Sequence, residues 1–288
     1  MLVMNHILVI GGTGTVGSQV LSRLAAAGAH VRAMVRNPAA VRLPPQAEVV
    51  RGDLTVPGTL DPCLHGIDTV FLVWTAPAAA VAPALERIAK HIRRIIFLSA
   101  PIKTAHALFQ QPNPARNLGL QIERIIEASA CQWTFLRPGM FAANARGWWG
   151  PQIRAGDVVR WPYLAVPTAP IDERDIAAVA VRALCEDGHA RAEYVLTGPQ
   201  SLSQFEQLST IGRASGRSLR IEEITPDQAR QELLNIMPPP VINMLLDAWA
   251  AASGQPAFLT STVEEITRAP GRTFLEWATD HAPEFRGR

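Results

Sequence analysis

The chain has 288 residues, 48% hydrophobic and 18% charged, with a formal net charge of +2. That is room for one large or two modest domains around a sizeable core, and so small a charge gives no electrostatic footprint for nucleic acid or an anionic membrane surface. Cys63, Cys131 and Cys185 stand isolated, with no Cys-x-x-Cys and no Cys/His cluster, which argues against a disulfide framework and against a bound metal.

Ile7-Leu8-Val9-Ile10 reads as a buried strand. The turn Gly11-Gly12-Thr13-Gly14-Thr15-Val16-Gly17 follows, then an amphipathic run from Val20 to Ala25 that ends at Gly28. Strand, glycine turn and helix are the context that a dinucleotide fingerprint needs. Glycine lets the backbone turn tightly and approach a pyrophosphate, and the helix N-terminus offers free N–H groups to the phosphates. The strand begins almost at once, which leaves no room for a signal peptide. The longest charge-free apolar stretch, Thr69 to Leu85, is interrupted by Pro77 and Pro83 and is too broken to span a membrane. The expected location is cytoplasmic.

His30 to Arg36 is a second strand, closed by Asn37-Pro38. An NAD-binding unit places an acid at the end of this strand to hold the ribose 2′-hydroxyl. Here no Asp or Glu lies between position 13 and Glu48; Arg36 stands at the strand end, with Arg32 upstream on the same alternating face. A guanidinium forks onto a phosphate, so the pattern points to NADP(H). Strands follow at 47–51, closed by Gly52-Asp53-Leu54, at 68–74 and at 94–99, with helical segments near 58–65 and 84–91 between them. Alternating strands and helices predict parallel strands joined by right-handed crossovers, with ligands at their carboxyl ends. That places Gly11 to Gly17, Arg36, Asp53, Thr75 and Ser99 along one rim.

Asn113 and Pro114 read as N-cap and first residue of a helix running to about Ala130, followed by a strand at 132–137 that Pro138-Gly139 breaks. Beyond it the alternation fails. Residues 140–170 read as irregular, with Phe141, Trp148, Trp149, Trp161 and Tyr163. This aromatic group either lines an apolar pocket for a flat substrate or forms the core under a long loop. Asp172 to Asp175 start a helix, where acids complement the helix dipole. A strand at 193–197, a helix from Ser203 with Glu206 in capping-box register, a strand at 219–224 and three helical segments near 226–235, 239–252 and 273–281 complete the chain. The predicted class is α/β: a dinucleotide-binding domain over 1–150, to which later segments can return, and a smaller substrate-binding region over 151–288.

Several of these stretches together resemble the NmrA-like atypical short-chain dehydrogenases/reductases. They are Gly11 to Gly17, Val35-Arg36-Asn37-Pro38, Gly52-Asp53-Leu54, Phe97-Leu98-Ser99, Trp133 to Phe141 with Asn144, Asp172 to Ala177 and Phe274 to Ala278. The resemblance spans nearly the whole chain. It implies a Rossmann-like fold, NADP(H) binding and either reductase activity or a redox-sensing role. It would set Arg36 on the 2′-phosphate, Asp53 and Leu54 on the adenine, Thr75 on the ribose, and Ser99 with Pro138 at the nicotinamide end.

One departure is decisive. Ordinary short-chain dehydrogenases use Tyr-x-x-x-Lys, the tyrosine exchanging the proton and the lysine lowering its pKa. This chain has only two tyrosines, Tyr163 and Tyr194, followed four residues on by Pro167 and Gly198, and only two lysines, Lys90 and Lys103. The pair is absent. By the resemblance its lysine position falls on Gly119 and its tyrosine position on Ala115. Gly119 inside a helix costs on the order of 1 kcal/mol relative to alanine. Either a ligand presses on bare backbone there or the helix packs closely. Substitute proton donors are Lys103 and His106, after the fifth strand, if they are more than solvated loop residues. The substrate-side candidates are Gly119, Phe141, Asn144, Trp148, Trp149 and Trp161. The leading expectation is an NADPH-dependent reductase of a small hydrophobic or aromatic carbonyl, enone, imine or quinone. A non-catalytic NADP(H) sensor and a non-redox enzyme on the same fold are the alternatives.

Overall fold

The computed structural model describes residues 6–112 and 114–286, with the backbone alone at 114 and 115. The Asn113 cap and the side chain of Ala115 therefore lie outside the described residues. The first half alternates: β1 (His6–Ile10), α1 (Thr15–Ala26), β2 (His30–Val35), β3 (Glu48–Arg51), α2 (Leu60–Leu64), β4 (Thr69–Leu72), α3 (Val81–Ala89), β5 (Arg94–Leu98), α4 (Pro114–Glu127) and β6 (Gln132–Pro138). The chain then leaves the sheet through α5 (Asn144–Trp148), α6 (Gly150–Ala155), β7 (Val158–Trp161) and β8 (Pro167–Thr168), and returns with α7 (Glu173–Cys185) and β9 (Ala192–Leu196).

The main sheet has seven strands in the order β3-β2-β1-β4-β5-β6-β9, every neighbouring pair parallel. This is the α/β, Rossmann-like class that the alternation predicts. Its two faces follow from the period of a strand. Ile7 and Val9 point into the core that α1 and α7 cover; Leu8 and Ile10 point into the core under α2, α3 and α4. Because α7 and β9 complete the sheet, the sheet portion does not close at residue 150.

The remaining elements are β10 (Leu202–Ser203), α8 (Gln204–Ser215), β11 (Arg220–Glu223), α9 (Pro226–Glu232), α10 (Pro239–Ala252), α11 (Thr262–Thr267), α12 (Phe274–Asp280) and α13 (Ala282–Phe285). Residues 140–170, read as irregular, are ordered by distant partners: β7 pairs with β11 in parallel and β8 with β10 antiparallel. Strands of two to four residues carry no periodicity of their own. The capping box at Ser203 and Glu206 is formed, and Asp172 caps α7 by accepting the Arg174 N–H. Among the described residues no helix is long and apolar enough to cross a membrane.

Candidate functional site

The order of the sheet reverses at β1, between β2 and β4, which opens a crevice above their carboxyl ends. Gly11, at φ +87°, turns the chain out of β1 in a conformation that favours glycine. A Cβ on Gly17 would lie 2.2 Å from the Gly11 carbonyl oxygen, so α1 packs bare backbone against the turn. The Gly14 N–H donates to Gly11 O at 3.0 Å, and α1 has no side-chain cap and no acid in its first turn. Its leading N–H groups and positive dipole end are thus uncompensated by side chains.

That turn forms one wall of a cleft of about 640 Å³ lined further by Arg36, Asn37, Asp53, Leu54 and Thr75, a volume in the usual range of cofactor sites. The space, the bare backbone and the free helix end fit a dinucleotide pyrophosphate. Arg36 is exposed on the cleft and has no carboxylate within 4 Å among the described residues. Arg32 is occupied elsewhere: Nε donates to Glu48 at 2.7 Å, and Nη1 donates to the carbonyls of Cys63 at 2.9 Å and His65 at 2.8 Å. Of the two arginines on that strand, only Arg36 can meet a phosphate. The Asp53 carboxylate accepts the Thr55 N–H and hydroxyl, which hold it below the usual carboxylate range.

A second cavity, about 320 Å³, opens beyond the ends of β5 and β6 at Ser99 and Pro138. Phe109, Met140 and Phe141 wall one side, and α10 supplies Met244, Leu245, Ala248 and Trp249. Among the described residues its lining holds no Tyr, Lys, His, Asp, Glu or Cys; Ser99, Gln111, Arg116 and the Trp249 indole N–H are its polar side-chain groups. Beneath it is a buried charge network. The Ser99 hydroxyl donates to Glu123 at 2.7 Å. Glu123 and Arg137 are 1% and 2% exposed and doubly bonded, at 3.0 and 2.8 Å. Arg137 also donates to Glu193. With its proton held by Glu123, the Ser99 oxygen faces the cavity as an acceptor.

The candidate proton donors are turned away. Lys103 Nζ lies 3.2 Å from Glu193 and 3.5 Å from both Glu123 and Glu127. His106 Nδ1 accepts the Leu108 N–H at 3.3 Å, and Nε2 lies 3.1 Å from the Pro256 carbonyl oxygen. Neither lines the cavity. The aromatic group divides. Phe141 is on the wall, but Trp149 and Trp161 are core residues at 1% and 0% exposure, a correction to their placement as pocket residues. Their rings pack edge-on 5.8 Å apart, Trp148 stacks on Trp161 at 5.9 Å, and the Trp161 N–H donates to Gln204 at 2.7 Å. Large rings under a long excursion bury more surface against one another than they would on a cavity wall. Trp148 and Asn144, at the ends of α5, do not line this cavity either. Gly119 stands behind the wall: a Cβ there would meet Ile102 at 3.6 Å and Ser99 Oγ at 3.8 Å.

Sequence reasoning missed Phe109, Arg116 and the contribution of α10. Met244, Leu245, Ala248 and Trp249 recur at helical spacing, a signal for a buried face but not for what the face encloses.

Residues 11–187 match a family described as NAD(P)H-binding. The chain is 37% identical to the (4-alkanoyl-5-oxo-2,5-dihydrofuran-3-yl)methyl phosphate reductase of Streptomyces griseus, covering 97% of this chain and 99% of that one. It is 34% identical to the NAD(P)H azoreductase of Xenophilus azovorans, again over 97% and 99%. Among solved structures, the triphenylmethane reductase of a Citrobacter species in complex with NADP(H) superposes with a TM-score of 0.78 at 18% identity, over 96% of this chain and 99% of that one.

Proposed function

The chain belongs to the NmrA-like atypical short-chain dehydrogenases/reductases and is an NAD(P)-dependent oxidoreductase, and from that premise we propose that it is an NADPH-dependent reductase of conjugated acceptors such as enones and quinones. The observation that carries the reading is the apolar cavity at the ends of β5 and β6, whose lining among the described residues has no side chain able to give up a proton near neutral pH. Reducing an isolated ketone makes an alkoxide, which needs an acid at hand. Reducing a conjugated acceptor spreads the charge over an enolate, a hydroquinone oxygen or a nitrogen, and water can protonate that product. The names of the two relatives fit: one substrate is the methyl phosphate of an alkanoyl-substituted unsaturated lactone, the other an azo compound.

Bound NADPH supplies the hydride. The turn from Gly11 to Gly17, with Thr13, Thr15 and Val16, holds the pyrophosphate on the N-terminus of α1. Arg36 and Asn37 take the 2′-phosphate end, Asp53 and Leu54 the adenine, and Thr75 the ribose. Ser99 and Pro138 would meet the nicotinamide end, with the Ser99 oxygen, its proton given to Glu123, free to accept a hydrogen bond. Phe109, Met140, Phe141, Met244 and Trp249 would pack against the flat body of an acceptor.

The test is NADPH oxidation against two sets of neutral acceptors, conjugated and saturated. Conjugated ones should turn over, and saturated ketones of similar size should be about a hundredfold slower or worse, the usual contribution of a general acid. Comparable rates for both sets would reveal a concealed acid. A protein that binds NADPH and oxidises it with neither set would be a sensor.

A further inference from the structure

Resting on the reading of this cavity as the acceptor site, we infer that it recognises an anionic group on its ligand: an apolar, flat body carrying a phosphate or carboxylate held by Arg116. Arg116 is half-buried in the first turn of α4 and, among the described residues, is the only charged side chain on the lining. Its environment differs from that of three other buried or half-buried guanidiniums. Arg137 has Glu123, Arg94 has Asp187 and Arg146 has Glu173, each within 2.8 Å. Arg116 has no carboxylate within 4 Å among the described residues. It donates instead to the Gln110 carbonyl at 3.1 Å and the Gln110 side-chain oxygen at 3.2 Å.

Those two bonds orient the group without neutralising it. A guanidinium stays charged at any pH the protein meets and has five N–H donors. On an otherwise uncharged apolar wall it strongly favours a ligand that brings the missing negative charge, and its planar fork suits phosphate and carboxylate alike. It is not the partner of the cofactor's phosphates: the two cavities share no lining residue, and the dinucleotide cleft has its own free cation in Arg36.

The experiment uses ligands with nothing to reduce, so its outcome is independent of whether the protein turns over any acceptor. The protein is saturated with NADP+ and titrated by calorimetry with 2-naphthol, 2-naphthyl phosphate and 2-naphthoate. Both anions should bind about ten- to a hundredfold tighter than the neutral ring, the span of one charge-assisted contact; the tighter of the two identifies the natural group. In Arg116→Gln the preference should vanish, and in Arg116→Lys part of it should return. The melting shift with NADP+ shows in each variant that the cofactor cleft is intact. Equal affinity for all three ligands, binding of none of them, or a preference that survives Arg116→Gln each overturns the inference. Failure of the neutral acceptor panel would count against the reductase reading alone.

Discussion

The two cavities are built on opposite principles. The dinucleotide cleft comes from the first 77 residues, and its critical surface is backbone: a turn in which even one methyl at Gly17 would overlap a carbonyl oxygen at 2.2 Å. The acceptor cavity gathers residues from Ser99 to Trp249, and its surface is side chain. The first is defined by what cannot be added, the second by which charges are left out. A backbone site accepts one ligand shape and fails at a single atom. A side-chain site can be re-lined one residue at a time, which is how one fold comes to reduce different acceptors.

The harshest way to break the comparison is from underneath, where the network below the acceptor cavity is as unforgiving as the glycine turn. Glu123→Ala leaves the Arg137 guanidinium, 2% exposed, with Glu193 as its remaining carboxylate. Removing one partner of a buried pair costs roughly 3–5 kcal/mol, to be read as a lower urea midpoint at unchanged slope. A change below 1 kcal/mol would show that water reaches Arg137.

Gly17→Ala attacks the other side. Its Cβ cannot be accommodated without moving the Gly11 carbonyl, so NADPH affinity should fall a hundredfold or more, about 2.7 kcal/mol, in a calorimetric titration. Arg36→Ala is gentler. It should remove about ten- to a hundredfold of the preference for NADPH over NADH, the worth of a charge-assisted contact to phosphate, and leave NADH affinity nearly unchanged. If the native protein binds the two cofactors equally, Arg36 is only a solvated residue at a strand end.

The same contrast explains what could be read in the sequence. The glycine turn, Arg36 and the alternation of the first six strands are local, a few adjacent residues fixing a backbone, whereas the return of β9 to the sheet was not read. The absence of Tyr-x-x-x-Lys was equally plain, because two lysines and two tyrosines suffice to exclude it. The acceptor cavity was not legible. Trp149 and Trp161 lie within the excursion between β6 and α7, yet they are buried in a closed core, while Trp249, far along the chain, lines the cavity. Which face of a helix meets a ligand depends on packing between elements that share no local pattern. The arginine in the Leu-Arg-Pro strand shows the same limit: the motif marks Arg137, but only the structure shows it buried against Glu123.

Gly119 stands behind the acceptor cavity alone. An added methyl would make ordinary contacts, 3.6 Å to Ile102 and 3.8 Å to Ser99. Gly119→Ala should therefore stabilise the protein by up to about 1 kcal/mol through helix propensity, raising the melting temperature, with KM for a flat acceptor unchanged. Gly119→Leu carries extra carbons toward Ser99 and Ile102 and should weaken acceptor binding while NADPH still binds at the distant turn. A loss of NADPH binding in Gly119→Ala would mean that the cofactor touches this helix directly.

The smallest effect belongs to Lys103, and it separates a proton donor from a structural cation. Its ammonium is ringed by Glu193, Glu123 and Glu127. Partial burial pushes its pKa down, but Glu193 and Glu123 outweigh burial and leave it above the ordinary lysine value. Burial likewise pushes Glu193 up, and Arg137 with Lys103 pulls it below the ordinary carboxylate value. The signs set a window. The raised lysine contributes stability in full below its unfolded pKa, about 10.4, and loses it as the pH rises through the folded value. The lowered glutamate contributes in full above its unfolded pKa, about 4.3, and loses it as the pH falls through the folded value. Melting temperature from these two groups should thus be flat between those limits and decline outside them, and Glu193→Gln should make the acid limb shallower. Both groups are partly solvated, so Lys103→Ala should cost a few tenths of a kcal/mol, as exposed pairs do, and leave kcat within about twofold. A proton donor would instead cost roughly 10²–10⁴ in kcat and remove a basic limb from the pH–rate profile. That outcome would mean the loop after β5 swings Lys103 off its three carboxylates and into the cavity during turnover.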